Sequence, residues 1–409
     1  MTSAISWVGD DDTLKLKFDR YDIINQHSIS LLLAVFILSS IIIQHTSVSK
    51  IIGFILVVLA YTVIFGLFLY GSDRIIRTER IYIILFSLLA FFIMVSTVSN
   101  LTTGSAFRLA VFLVFTSANI FIIPKVIGFD EFLYILSRIT AVLVIIGFVP
   151  YVGGPAAFGA IDLSLWGGRL YWHPSLSPIT SVFVGPNWLG FLTLIGSLSA
   201  AGEWWRTNTK FSNFLFAINV LGLLFTNYRT GWIAFVCAIG ILIAYIWFNR
   251  KMIVLLTVGG IVATGVALSM MFRIIPGPAA LTELSLNGRR GSWVVSVQVL
   301  LERPFWGYGF GNTAEAVNNY VPPGSPANVH NSYLRAFLGM GIGGGITYLA
   351  LFLIMMYRST LQAVSRPTVL LAGYLVAFFI VQIFNSLTFI GISLHSSMIA
   401  IAMGYHISK

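Results

Sequence analysis

The feature that most constrains this chain is a series of apolar stretches, nearly free of charge, that recur from one end to the other. They run over about 28–45, 51–71, 81–98, 107–123, 132–150, 187–202, 211–226, 231–248, 252–271, 331–356, 369–390 and 394–407. Several approach the ~20 residues that an α-helix needs to cross a bilayer. In lipid every backbone polar group must be satisfied within the protein, so the helix is the form such stretches take. Composition agrees: 57% of the residues are hydrophobic and 9% charged, too few polar groups to clothe a water-facing shell. The expectation is an all-α polytopic membrane protein with about twelve transmembrane helices, and a soluble domain is excluded.

A net charge of +10 would hint at nucleic acid in a soluble chain, but here cations mainly set topology and no nucleic-acid partner is expected. The segment 1–27 is polar, carries Asp10, Asp11 and Asp12, and lacks the basic start and cleavage site of a signal peptide. Placing it in the cytoplasm puts Lys15, Lys17, Arg20, Arg74, Arg77, Arg80, Lys125, Arg206, Lys210, Arg250, Lys251, Arg358, Arg366 and Lys409 inside. Lys50, Arg108, Arg169, Arg229, Arg273, Arg289, Arg290 and Arg303 then fall outside, with Arg138 and Arg335 within spans. The cytoplasmic excess satisfies the positive-inside rule. It predicts a plasma-membrane protein with both termini inside and a single transmembrane domain over 28–409.

Two external connections, 151–186 and 272–330, are long and rich in Gly, Pro and Trp, which reads as ordered irregular backbone. Within the second, Arg289 to Glu302 places Trp293, Val294, Val297, Leu300 and Leu301 at roughly helical spacing, predicting a helix that lies on the outer membrane surface. The external cations are nearly all Arg, whose planar fork holds phosphate oxygens bidentately. Arg108 and Arg273 stand at helix ends and read as snorkelling to headgroups. Arg229 does not, because the short turn Asn227-Tyr-Arg-Thr230 leaves a cation between two apolar spans in need of an anion. Arg289 and Arg290 head the amphipathic stretch, where helix amides would add to an anion site.

His330 closes the second loop just before an apolar span. The helix dipole and nearby Arg favour a neutral imidazole there, able to accept a proton, while a helix cap is the plain alternative. Acids complete the pattern. No Asp or Glu falls inside the expected spans, and outside only Asp162, Glu283, Glu302 and Glu315 remain, without the clustered carboxylates of a Mg or Mn site. A single Cys provides neither a disulfide framework nor a thiolate cluster. No metal or other cofactor is expected. An anion transporter would place polar groups through midplane depth and often shows inverted repeats, whereas these candidates lie on one side.

Thr226-Asn-Tyr-Arg-Thr-Gly-Trp-Ile-Ala-Phe235 resembles the S/N-x-R-[ST] segment of the O-antigen ligase and polymerase superfamily. Arg289 to Trp293 followed by Glu302-Arg-Pro-Phe-Trp-Gly-Tyr-Gly-Phe-Gly311 is similar to its R-x3-W and P-x2-G-x-G-x-G stretch. His330-Asn-Ser-Tyr-Leu334 with Gly339-Met-Gly341 is similar to its HN-x-[YF]-L helix start, and Arg169 with Gly185-Pro-Asn-Trp188 to its earlier R and [ND]PN motif. The order and spacing agree over roughly residues 160 to 345. The resemblance implies a metal-independent, GT-C-like membrane glycosyltransferase that takes glycan from undecaprenyl pyrophosphate at the periplasmic face of a bacterial inner membrane. Arg229 and Arg289 would neutralise the leaving pyrophosphate, with Arg169 or Arg290 assisting, and His330 would be the base. Asn187 and Asn331 of the motifs, with the aromatic faces of Trp293 and Tyr333, are the further substrate-binding candidates. The acceptor is either another lipid-linked repeat, as for a polymerase, or a lipid A core sugar, as for a ligase; the polymerase is favoured. Membrane lipid and other polysaccharide assembly proteins are the remaining expected partners.

Overall fold

In a computed structural model the described residues are 26–45, 50–70, 78–158, 161–279, 289–320 and 329–407. The apolar stretches all appear as helices: α1 (Gln26–His45), α2 (Lys50–Tyr70), α3 (Arg80–Ser99), α4 (Thr103–Val126), α5 (Phe129–Gly153), α6 (Pro186–Thr207), α7 (Lys210–Phe225), α8 (Arg229–Trp247) and α9 (Arg250–Met271). After two helices of the long connection, α10 (Arg289–Glu302) and α11 (Thr313–Asn318), come α12 (Ser332–Leu361), α13 (Arg366–Phe384) and α14 (Leu394–Ile407). Among the described residues eight helices, namely α2 to α5, α8, α9, α12 and α13, are long and apolar enough to cross a membrane. Of the other four stretches, α1 has 20 residues and α6 has 22, with Glu203 and Arg206 in its last turns, while α7 and α14 are shorter, at 16 and 14.

The most enclosed elements are α13 and α14. Every residue of α14 is buried, so it is enclosed by protein on all sides. The irregular segment 385–393 leads into it, non-helical backbone of a kind that membrane depth tolerates only inside protein. The expected span 369–390 therefore stops at Phe384. By contrast, only 11% of the apolar window of α9 is buried, leaving an outward face for lipid. Helix α4 is interrupted by π-helical turns at Phe112–Thr116 and Ala118–Ile122, against which α14 packs.

A second departure concerns acids within spans. Helix α6 runs on to Thr207 and buries Glu203 against Arg138 of α5. The pair is bidentate, with Nη1 to Oε2 and Nη2 to Oε1 both at 2.8 Å, and Ser137 Oγ donates to the same carboxylate at 3.0 Å. A cation in mid-span needs such a partner.

The connections α3–α4, α5–α6, α7–α8, α9–α12 and α13–α14 meet at one end of the bundle. Asn100 Nδ2 donates to Gly307 O at 3.1 Å, Ile179 N to Phe225 O at 3.0 Å and Ser332 Oγ to Asn385 O at 2.6 Å. The α5–α6 connection holds the described structure's one sheet, a hairpin of β1 (Ala156–Phe158) and β2 (Ile161–Leu163). In the α9–α12 connection, residues 304–309 dock backbone to backbone on a kink in α12. Tyr308 N donates to Leu338 O at 2.8 Å and Ile342 N to Pro304 O at 2.7 Å. Gly341 has φ +71° at the kink, and a Cβ there would lie 2.2 Å from Phe305 O, so only glycine allows the contact.

Helix α10 has the predicted bounds, and its apolar positions divide between two faces. Ser292, Trp293, Ser296, Val299 and Leu300 are buried, whereas Val294, Val297 and Leu301 are exposed. It therefore docks on the bundle through a stripe that includes two serines, which hydropathy alone cannot select.

Candidate active site

The site grows from the turn between α7 and α8. Asn227 takes a left-handed conformation, φ +57°, which its short polar side chain tolerates. That side chain reaches the α5–α6 connection, donating from Nδ2 to Arg169 O at 3.1 Å and accepting from Tyr171 N at 3.2 Å. Tyr228 turns inward and is buried, its hydroxyl accepting from Asn385 Nδ2 at 3.0 Å. Arg229, the first residue of α8, is exposed, with its Cζ 4.3 Å from the centre of the Tyr171 ring. Trp232 completes the turn by donating from Nε1 to Leu223 O at 2.9 Å.

Arg289 arrives at the same place from α10 and donates from Nη1 to Phe384 O at 2.8 Å. Burial works against its cation, Tyr228 opposes that effect, and Arg229 adds to it by repulsion. The described ion pairs are Arg138–Glu203, Arg206–Asp130 and Arg358–Glu79, so no described carboxylate forms a salt bridge with Arg169, Arg229 or Arg289.

These groups surround a cavity of about 680 Å³ lined by Trp166, Arg169, Tyr171, Asn187, Asn227, Tyr228, Arg229, Arg289, Phe384 and Asn385 among others. The starts of α6, at Pro186 and Asn187, and of α8, at Arg229, both open on it. Their positive dipole ends add to the guanidinium charge, so the cavity is suited to an anion of phosphate type.

Four of the residues singled out in the sequence, Arg169, Asn187, Arg229 and Arg289, are thus brought together. His330 is half-buried, within electrostatic reach of Arg289, and does not line the cavity. Burial lowers its pKa below the ordinary 6.5, and the Arg289 charge lowers it further, so the ring is neutral at neutral pH. Its φ is +47°. The cap of α12 is Asn331, whose side chain accepts from Leu334 N at 2.8 Å, so capping is not the role of His330. Arg290 lies beside Arg289 but outside the cavity lining.

The two aromatic candidates are placed in the packing. Trp293 is 1% exposed, donates from Nε1 to Val329 O at 2.6 Å and stacks on Phe272. Tyr333 is buried against Tyr348, Phe352 and Phe379. Neither offers a face to a sugar at the cavity, because both lie on the inner stripe of an element start that sequence spacing had left open. The aromatic groups on the cavity wall are Trp166, Tyr171, Tyr228 and Phe384. Of the unforeseen contributors, Asn227 and Tyr228 stand inside the quoted turn motif. Asn385 carried a weaker signal, a polar Asn-Ser pair interrupting an apolar stretch.

Comparison with known proteins matches residues 214–349 to the family described as O-antigen ligase. No curated protein matches the chain. The matched segment contains the Arg229 turn, Arg289 and His330 and runs from α7 into α12. Over this segment, about a third of its length, the chain is similar to the O-antigen ligase family.

Proposed function

We propose that the protein is an inverting polymerase of surface polysaccharide that transfers glycan from an undecaprenyl-pyrophosphate carrier to the hydroxyl of a lipid-linked acceptor, at the periplasmic face of the inner membrane. The family that residues 214–349 match implies an enzyme of membrane glycosyltransferase type. The observation that carries the finer reading is the convergence of Arg169, Arg229 and Arg289 on one cavity, with the neutral His330 next to Arg289.

The carrier pyrophosphate would sit on the three guanidinium groups and the two helix starts. As the acceptor oxygen attacks the anomeric carbon, His330 takes the hydroxyl proton and the bond from that carbon to the phosphate oxygen breaks. The pyrophosphate leaves with the electron pair, and its charge is balanced where it forms, by fixed cations. One displacement inverts the anomeric carbon. The charge-balancing groups gathered at the cavity are guanidinium groups, so turnover is expected to need no added divalent metal.

The family description favours a second reading, a ligase whose acceptor is a lipid A core sugar. The test is the product formed by purified protein from defined lipid-linked donors in excess EDTA. Lengthened lipid-linked oligomers support the polymerase and transfer onto core oligosaccharide the ligase. Loss of turnover that Mg or Mn restores would overturn the metal-free mechanism.

A further inference from the structure

Two more arginines enter the bundle at the same end without a carboxylate. Arg108, in the second turn of α4, does not merely extend to the lipid surface. It is half-buried, and its Nη1 lies 3.8 Å from the position a Cβ on Gly391 would take. Arg335, in the first turn of α12, is also half-buried and within electrostatic reach of Arg108. Its guanidinium donates from Nη1 to Ser386 O at 3.3 Å and sits 5.8 Å from the centre of the Phe310 ring, while its Nε has no hydrogen-bond partner. Both belong to helices long and apolar enough for a membrane, where two facing cations with an unmet donor are costly unless an anion joins them. The start of α14 lies alongside. Ser393 Oγ accepts from Ser396 N at 3.2 Å, and Ser396 Oγ is 2.6 Å from that same Cβ position on Gly391.

We propose that Arg108 and Arg335, with the start of α14, form a second phosphate-binding site for a membrane lipid, and that in the working enzyme this lipid is the acceptor's pyrophosphate carrier. The second half rests on the polymerase reading, in which donor and acceptor each bring a lipid pyrophosphate. The wall between the two sites is the segment 385–391. Asn385 lines the first cavity, Ser386 holds Arg335 and Gly391 adjoins Arg108. Six residues of extended chain span at most about 20 Å, so two carriers held at these points are within reach of one glycan repeat. His330 is within electrostatic reach of Arg289 of the first site and directly precedes the α12 turn that carries Arg335 of the second. That is where a base must stand if it takes the proton from an acceptor held at the second site.

The test is equilibrium binding of undecaprenyl pyrophosphate, without glycan, to purified protein in phosphatidylcholine nanodiscs. Thermal melting is followed in the same discs and in discs containing phosphatidylglycerol. The expectation is two equivalents bound by the wild type and one by either Arg335→Gln or Arg229→Gln. Arg335→Gln should also melt higher than wild type when no ligand is present, because it removes an unpaired buried cation, and should lose most of the ligand-induced rise. A structural role for Arg335 predicts lower melting instead and would overturn the proposal. If phosphatidylglycerol alone gives an Arg335-dependent rise while only one pyrophosphate binds, the site holds a phospholipid phosphate and the acceptor assignment falls. One equivalent in the wild type, with Arg335→Gln silent toward both lipids, removes the site altogether. Because no transfer is measured, these results stand apart from any failure of the glycosyltransferase reading.

Discussion

Gly190→Ala adds one methyl where α6 meets Tyr228. Its Cβ would fall 2.4 Å from Tyr228 Cβ and 2.8 Å from Cγ, with Thr226 Oγ1 at 3.0 Å. Ordinary contact begins at 3.4 Å, so the turn must retreat by about 1 Å. The nearest atoms belong to the stem of the tyrosine, so no rotamer change relieves the overlap. The next residue is Arg229, and a displacement of that size moves its guanidinium relative to Arg169 and Arg289. Overpacking of this kind costs about 1–3 kcal/mol of stability, and a ~1 Å error in positioning costs on the order of 10²-fold in rate. The assay pairs initial rates of oligomer formation from a defined lipid-linked repeat with thermal melting in detergent. Gly240→Ala is the control, since it lies within α8 and an added Cβ there meets nothing within 4 Å. It should transfer normally and melt no lower than wild type. If Gly190→Ala transfers at the wild-type rate, the turn does not set the position of Arg229 that transfer requires.

Arg229→Lys should be nearly as damaging as Arg229→Ala in transfer assays, because a point charge cannot replace a planar fork held near Tyr171; retention of most activity would reduce Arg229 to a diffuse electrostatic role. His330→Asn keeps a residue that accepts the left-handed backbone and leaves the Asn331 cap untouched, so it should fold, bind donor and lose about 10²- to 10⁴-fold in transfer. An active Asn variant would take His330 out of the mechanism. Since the base must be neutral, kcat/KM falls as pH drops through the lowered His330 pKa. Arg289→Gln removes the second cause of that lowering, so the acid limb of its residual activity should move to higher pH, and an unmoved limb would show that His330 is not the titrating group.

Helix positions were legible because charge-poor stretches in lipid have little choice of backbone form. Arg229–Trp247 and Lys210–Phe225 lie within two residues of the expected 231–248 and 211–226. Which side of each helix meets protein was not legible, since lipid and a protein core are equally apolar and hydropathy does not distinguish them. That ambiguity hid the inward turn of α10, the enclosure of α14 and the burial of Trp293 and Tyr333. The Arg138–Glu203 pair escaped for a related reason: a span judged by hydropathy was ended at 202, one residue before its only acid. The cationic site was more visible because chemistry, not periodicity, marked it. Arg169, Arg229 and Arg289 were conspicuous as cations without local acids, whereas Asn385 became meaningful only once α13 was seen to stop.

The distribution of acids ties these points together. Glu203 pairs with Arg138, Asp130 with Arg206 and Glu79 with Arg358, all toward the end of the bundle where α3 and α5 begin and α6 and α12 finish. At the other end Arg108, Arg169, Arg229, Arg289 and Arg335 form no such pair with a described carboxylate. A chain selected for stability alone would supply partners there as it does below, at least for Arg108, Arg289 and Arg335, because an unpaired half-buried cation is costly. A carboxylate in that position would compete with phosphate for the same guanidinium fork and oppose its binding. The cost carried by the free protein is therefore recovered when a lipid-linked anion arrives. Ligand-free protein should accordingly melt below its pyrophosphate-bound form by an amount that shrinks as these arginines are replaced singly by Gln. Replacing Arg358 in the same way, at the paired end, should lower melting with and without ligand alike.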